Sequence, residues 1–273
     1  MRDNRLPEPA ELHAHVSRAH PLDWGDLPTR EEIAAQYGAD AADGALALLA
    51  EAARAEPRVT ADVTGSIDDD AFAYHLKNRL KSPQSLARKL KKENRLGPPY
   101  TPPEDILRYT VGVDHPDQVV RTARQLVDRM RARGWSMASA HHSYQPGSRY
   151  KGLHFFLRGH GQVVELQVHS RQSIAVKEAT TRWYEVFRDR DRPKAEKDEA
   201  LDKCIKYSDP MTQPAGIDAL THLGGVPVEV RGYGRTPARS PRATEGSAAG
   251  QDNDQRQEPH RRRNHHGRDE IDR

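Results

Sequence analysis

The sequence predicts a mixed β-sheet covered by helices, preceded by a helical cap and followed by an unstructured tail. Three observations carry this reading. Apolar residues recur at i, i+3, i+4 and i+7 in several separate segments, the period of one buried helical stripe. Between them lie short runs of strand type, clearest in Val163-Val164-Glu165-Leu166-Gln167-Val168-His169, where apolar and polar residues alternate as on the two faces of a strand. Beyond about residue 208 both periods fade while Pro, Gly and Ser accumulate.

Taken in order, residues 1–58 read as an Ala-rich helical cap. Thr29-Arg30-Glu31-Glu32 offers an N-cap followed by first-turn acids, and Leu46, Leu49, Ala50 and Ala53 form one inward stripe. Residues 59–208 form the main domain. Phe72 to Lys81 reads as extended, and Ser82-Pro83 starts a helix with a capping hydroxyl and proline at the first helical position. In that helix Leu86 and Leu90 face inward, with Arg88, Lys89, Lys91 and Lys92 outward. Pro98-Pro99 and Pro102-Pro103 delimit a loop before a strand at 106–113. Val119, Val120, Ala123, Leu126, Val127 and Met130 give an amphipathic helix that Gly134 ends. Residues 135–144 and 153–157 are strand candidates, and Gly159-His160-Gly161 turns the chain into the alternating strand. Ser170 caps a helix with Ala175, Ala179, Trp183 and Val186 along one face. Residues 209–273 complete the chain as the tail, where Arg261-Arg262-Arg263 reads as a solvated charge run.

Composition excludes several classes. With 273 residues, 35% hydrophobic, 6% aromatic and a mean hydropathy of -0.91, the chain is too polar to bury a core along its whole length. Its single cysteine, Cys204, rules out a disulfide framework within the chain and a cysteine-based zinc site; it reads as a semi-buried thiol. His141-His142 has no further ligand at zinc spacing and reads as a surface loop. No run approaches the roughly 18 apolar residues of a membrane span, and Met1-Arg2-Asp3-Asn4-Arg5 leads into no apolar stretch. The expectation is therefore a cytoplasmic protein. The net charge of +3 is small, but Lys and Arg crowd at 77–95. Neither a G-x-x-x-x-G-K-[ST] loop nor a G-x-G-x-x-G fingerprint occurs, so bound nucleotides would be held by side chains.

Four groups of residues carry chemistry. Arg79 and Lys81 on a strand, then Ser85 and Lys89 on one face of the following helix, aim three cations and a hydroxyl at one spot, which suits a triphosphate. Asp105 opens a strand, and Glu165 and Gln167 share the polar face of another. Two carboxylates from different strands form a minimal magnesium site, because Mg²⁺ takes one or two carboxylates and completes its shell with substrate oxygens. Tyr150 and His154 bracket the turn at Gly152, where a ring for stacking meets a polar reader.

In this order the four groups resemble the synthetase domain of the RelA/SpoT family over residues 72–190. Its R-x-K-x-x-x-S-x-x-x-K segment is matched by Arg79, Lys81, Ser85 and Lys89, and its strand acid by Asp105. Its Y-x-x-x-H turn is matched by Tyr150 and His154, and its E-x-Q strand by Glu165 and Gln167. The resemblance implies a nucleotidyltransferase-like fold and a pyrophosphokinase that moves the β,γ-diphosphate of ATP onto a ribose 3′-hydroxyl of GDP or GTP. It further implies Arg79 on adenine, with Lys81, Ser85 and Lys89 on the ATP phosphates. Asp105 and Glu165 would hold Mg²⁺, Tyr150 would stack on the acceptor base, and His154 and Gln167 would steady the acceptor. The two acids are expected on a solvent-open face.

One departure concerns the acceptor. The family places a small residue three positions after the strand acid and an arginine five after it. Here these are Arg108 and Thr110, and Arg108 shares the strand parity of Thr110 about 7 Å earlier along the chain. Arg108 either replaces the missing guanidinium or marks another acceptor. Toxin-like relatives act on adenosine nucleotides or tRNA, and a catalytically silent nucleotide- or RNA-binding module is the remaining alternative. The family's hydrolase domain has no counterpart among these residues, so an active chain would be restrained by expression, an allosteric ligand or a neutralising partner.

Overall fold

A computed structural model describes residues 5–100 and 102–234 of the chain. Three helices come first: α1 (Pro9–Val16), α2 (Arg30–Tyr37) and α3 (Ala39–Thr64). Thr29 caps α2 as expected, its hydroxyl accepting the Glu32 N–H at 3.2 Å while Glu32 accepts the Thr29 N–H at 2.8 Å. The Leu46, Leu49 and Ala53 stripe is buried, with Ala50 packed against it. α3 runs six residues past the expected cap boundary, and its last turns belong to the sheet: Thr60 shares a 2.9 Å hydrogen bond with the hydroxyl of Tyr109.

Then follow β1 (Ala71–Tyr74), α4 (Pro83–Lys92), β2 (Leu107–Val113), α5 (Val119–Ala132), β3 (Ser136–His142), β4 (Leu153–Gly159), β5 (Gln162–Ser170), α6 (Arg171–Arg188), α7 (Lys194–Ser208), β6 (His222–Leu223) and β7 (Val226–Val230). The Ser82 hydroxyl accepts the Ser85 N–H at the start of α4, and Leu86 and Leu90 are buried. All six apolar residues expected on α5 are buried as well. The strands form one mixed sheet in the order β1-β2-β5-β4-β3-β7-β6, with β2 parallel to β5 and β3 parallel to β7. Every other neighbouring pair is antiparallel. Among the described residues no helix is long and apolar enough to cross a membrane.

Register decides which side chains share a face. β2 on β5 sets Arg108 opposite Glu165 and Thr110 opposite Gln167. β4 on β5 sets His154 opposite Gln167, and β3 on β4 sets His141 opposite His154. One face is therefore polar. The other, with Tyr109, Val111, Val164, Leu166, Val168, Leu153 and Phe155, lies in the hydrophobic core.

Four expectations need correction. Phe72 to Lys81 is not one extended segment: β1 ends at Tyr74, where His75 adopts a left-handed backbone (φ 49) and a 3-10 turn spans Leu76–Asn78. Helix α6 buries Ser173, Ile174 and Thr180 rather than the Ala175 and Ala179 line, both of which are exposed. His141 and His142 are not in a surface loop; they end β3 and are buried. Finally, structure does not fade at 208. Residues 209–234 supply β6 and β7, and Ile217, Leu220 and Leu223 enter the core. The expected tail over 235–273, Arg261–Arg263 included, lies outside the described residues. Because Ile217 is 1% exposed, Ile217→Ala should cost about 2–4 kcal/mol and lower Tm by roughly 10 °C. A melting curve unchanged by this substitution would show that 209–234 adds nothing to the core.

Candidate functional site

The basic segment splits in two. Arg79 is 1% exposed and points into the protein, against the expectation that it meets adenine. Its Nε donates to Glu56 of α3, Nη1 to the carbonyls of Pro21 (3.1 Å) and Leu76 (3.2 Å), and Nη2 to those of Val16 (3.1 Å) and His20 (3.0 Å). A guanidinium has five N–H donors. All five are used inside the fold, so Arg79 ties the N-terminal helices to the sheet and has none left for a ligand.

Lys81 and Lys89 turn the other way and converge on Asp105. The Lys89 ammonium donates to Oδ1 at 3.0 Å and the Lys81 ammonium lies 3.0 Å from Oδ2. Ser85 is half-buried one turn before Lys89 on α4, its N–H bound to the Ser82 hydroxyl. Burial acts against ionisation of Asp105 more strongly than any other single influence. Lys81, Lys89 and Arg108 together outweigh it and bring the carboxyl down to about 2.

Glu165 sits at the centre of the polar face. Its Oε1 accepts His154 Nδ1–H at 2.8 Å and Gln167 Nε2–H at 2.7 Å. Burial again pushes this carboxyl up, but His154 and then Arg108 pull it further down, to about 2, while Asp105 opposes them. Arg108 thus lowers both acids. Asp105 lies in the turn before β2, three positions before the register partner of Glu165. At 9% and 5% exposure the two acids do not occupy the solvent-open face expected of them. Carboxylate oxygens that stay ionised are the donor set a hard cation such as Mg²⁺ requires. No three His, Cys, Asp or Glu side chains among the described residues group as a metal site, and a two-carboxylate site needs only two.

No family model and no curated protein matches this chain. The site has to be read from its own atoms.

Tyr150 is the first surprise. Its hydroxyl is held between His154 Nε2 (2.9 Å) and His169 Nε2 (2.8 Å), and His169 Nδ1 meets the Ser173 hydroxyl at 3.1 Å. The second is Tyr233, just past β7. It bonds His141 Nε2 at 3.2 Å, lies edge-on to Tyr150 with ring centroids 6.0 Å apart, and is pinned by Ser148 and Arg149. Sequence reasoning missed His169, Ser173, His141 and Tyr233. For His169 there was a signal: it shares the strand parity of Glu165 and Gln167. Tyr233 gave none, being 92 residues from its partner.

Burial holds His141 neutral, with help from the neighbouring His154, and takes its pKa down to about 2; burial takes His169 well below the ordinary value of 6.5. Both rings stay unprotonated in the fold, whereas the unfolded chain binds protons on them below about 6.5. Their contribution to stability is complete above that pH and is lost as pH falls through it, at about 1.4 kcal/mol per pH unit for each ring. Tm is expected to drop steadily between pH 7 and pH 5, before Asp105 and Glu165 titrate. A flat profile across that range would contradict the burial of these rings.

Proposed function

We propose that this chain is a pyrophosphokinase with a nucleotidyltransferase-like fold, transferring the β,γ-diphosphate of ATP to a ribose 3′-hydroxyl of a guanosine nucleotide. One observation carries the reading. Asp105 in the turn before β2 and Glu165 on β5 both stay ionised, Arg108 lowering each of them, and a pair of lysines meets the first.

Transferring a diphosphate spreads negative charge over phosphate oxygens, so catalysis rests on cations and positioning. Asp105 and Glu165 would hold the magnesium ion, which when bound neutralises charge on the phosphate oxygens. Lys81 and Lys89 hold Asp105 ionised in the free protein, and the phosphates of ATP give the same ammonium groups a second set of acceptors. Among the described residues His154 and Gln167 both bind Oε1 of Glu165, which leaves Oε2 to accept the proton of an attacking hydroxyl. Arg108, at the register position of Glu165, supplies the positive charge that the family places two residues later. Arg79 has no part in binding. Tyr150 offers the acceptor a ring rather than a hydroxyl, because both neighbouring histidines hold that hydroxyl.

The experiment is transfer from γ-labelled ATP by the purified chain, with GDP, GTP, ATP and tRNA offered separately. Label on GDP or GTP with release of AMP is the expected result. Label confined to tRNA or an adenosine nucleotide would replace the acceptor and keep the reaction. No transfer to any of the four would leave a binding module.

A further inference from the structure

A continuous hydrogen-bonded chain of side chains leads away from Glu165. It runs from Oε1 to His154 (2.8 Å), to the Tyr150 hydroxyl (2.9 Å), to His169 (2.8 Å) and to the Ser173 hydroxyl (3.1 Å) at the start of α6. His154, His169 and Ser173 are 1%, 0% and 3% exposed, so water is not at hand to complete any of these bonds. The backbone closes over them as well. A Cβ on Gly152 would lie 2.7 Å from His169, 2.9 Å from His154 and 3.0 Å from the Tyr150 hydroxyl, so the glycine between Tyr150 and His154 is the residue that lets the three meet.

An ionised Glu165 requires Nδ1–H on His154. At the far end the Ser173 hydroxyl donates to the Ser170 carbonyl at 3.0 Å, which holds its oxygen 3.1 Å from His169 Nδ1. Tyr150, with one proton and two lone pairs, bridges the two rings by donating to one and accepting from the other.

We propose that His169 and Ser173 are positioning residues, which through Tyr150 and His154 fix the orientation of Glu165. The inference rests on the role given to Glu165 above, but the hydrogen-bonded chain it uses can be followed without any activity. Losing an outer partner of this kind costs about 10–100-fold in rate at comparable sites.

The test uses the full chain with ¹⁵N-labelled histidine. Ring ¹⁵N–¹H correlation spectra should show His154 protonated at Nδ1, with that signal shifted in His169→Leu. His169→Leu, which removes one of the two rings that hold the Tyr150 hydroxyl, should lower kcat about 10–100-fold and leave KM for ATP within about twofold. His169→Gln keeps a side-chain N–H and should retain most of kcat, and Ser173→Thr should behave likewise. Ser173→Ala, at a helix position where alanine is well tolerated, serves as the second variant and should lower kcat in the same manner. A His154 Nδ1–H signal unmoved by His169→Leu, or His169→Leu and Ser173→Ala at full kcat, would overturn the proposal. The predicted shift of the His154 signal in a chain that transfers nothing would instead overturn the pyrophosphokinase reading alone.

Discussion

Arg79→Met is expected to be among the most destabilising single substitutions in this protein. It removes five hydrogen bonds at once and strands the Glu56 carboxylate, whose side chain is 1% exposed, with only the Thr60 hydroxyl. Breaking a buried ion pair by deleting one partner typically costs about 3–5 kcal/mol. Total stabilities are about 5–15 kcal/mol, so a Tm loss of 10 °C or more follows. Adding Glu56→Gln should recover part of the loss, because the uncompensated charge is then gone. The comparison separates two roles for the same residue. An Arg79 that served ATP would leave Tm unchanged and raise KM for ATP, and that outcome would refute its buried placement.

Glu165→Gln is expected to lower the proposed transfer about 10²–10³-fold with little change in Tm. The amide oxygen still accepts from His154 and Gln167, and a buried charge disappears. Asp105→Asn should behave differently. It abolishes transfer, but it also removes the carboxylate 3.0 Å from the Lys81 ammonium, whose side chain is 2% exposed, while Lys89 keeps Glu93 at 3.6 Å. Folding stability should therefore fall by several kcal/mol, as for any buried pair that loses one partner. Circular dichroism melts beside the transfer assay distinguish the two acids. Equal stability loss in both variants would contradict the contacts described for Asp105.

The parts of this fold that sequence exposed are those set by local spacing. The α5 stripe, the Ser82 cap and the alternation of β5 each lie within one element, and each is found as expected. What escaped was set by partners distant in the chain. Arg79 looked like a ligand-facing cation because its neighbours looked extended; the left-handed turn at His75 and a carboxylate 23 residues upstream redirect it. Residues 209–234 looked unstructured because β6 and β7 are short, lie at one end of the sheet and sit among Pro and Gly, although Val226, Val228 and Val230 do alternate with Pro227 and Glu229. Tyr233 reaches the site only because β7 pairs with β3, a contact no local pattern encodes. Of the expected site, Lys81 and Lys89 meet at Asp105, and Arg108, Glu165, Gln167 and His154 share the polar face of the sheet; Arg79 joins neither.

The claim on which the functional account depends is that Asp105 and Glu165 serve one divalent ion. Mn²⁺ titration followed by electron paramagnetic resonance, with a non-hydrolysable ATP analogue present, tests it without requiring turnover. One site in the wild-type chain, lost or weakened at least tenfold in Glu165→Gln and likewise in Asp105→Glu, is the predicted result. Mn²⁺ bound as tightly by both variants as by the wild type would contradict it.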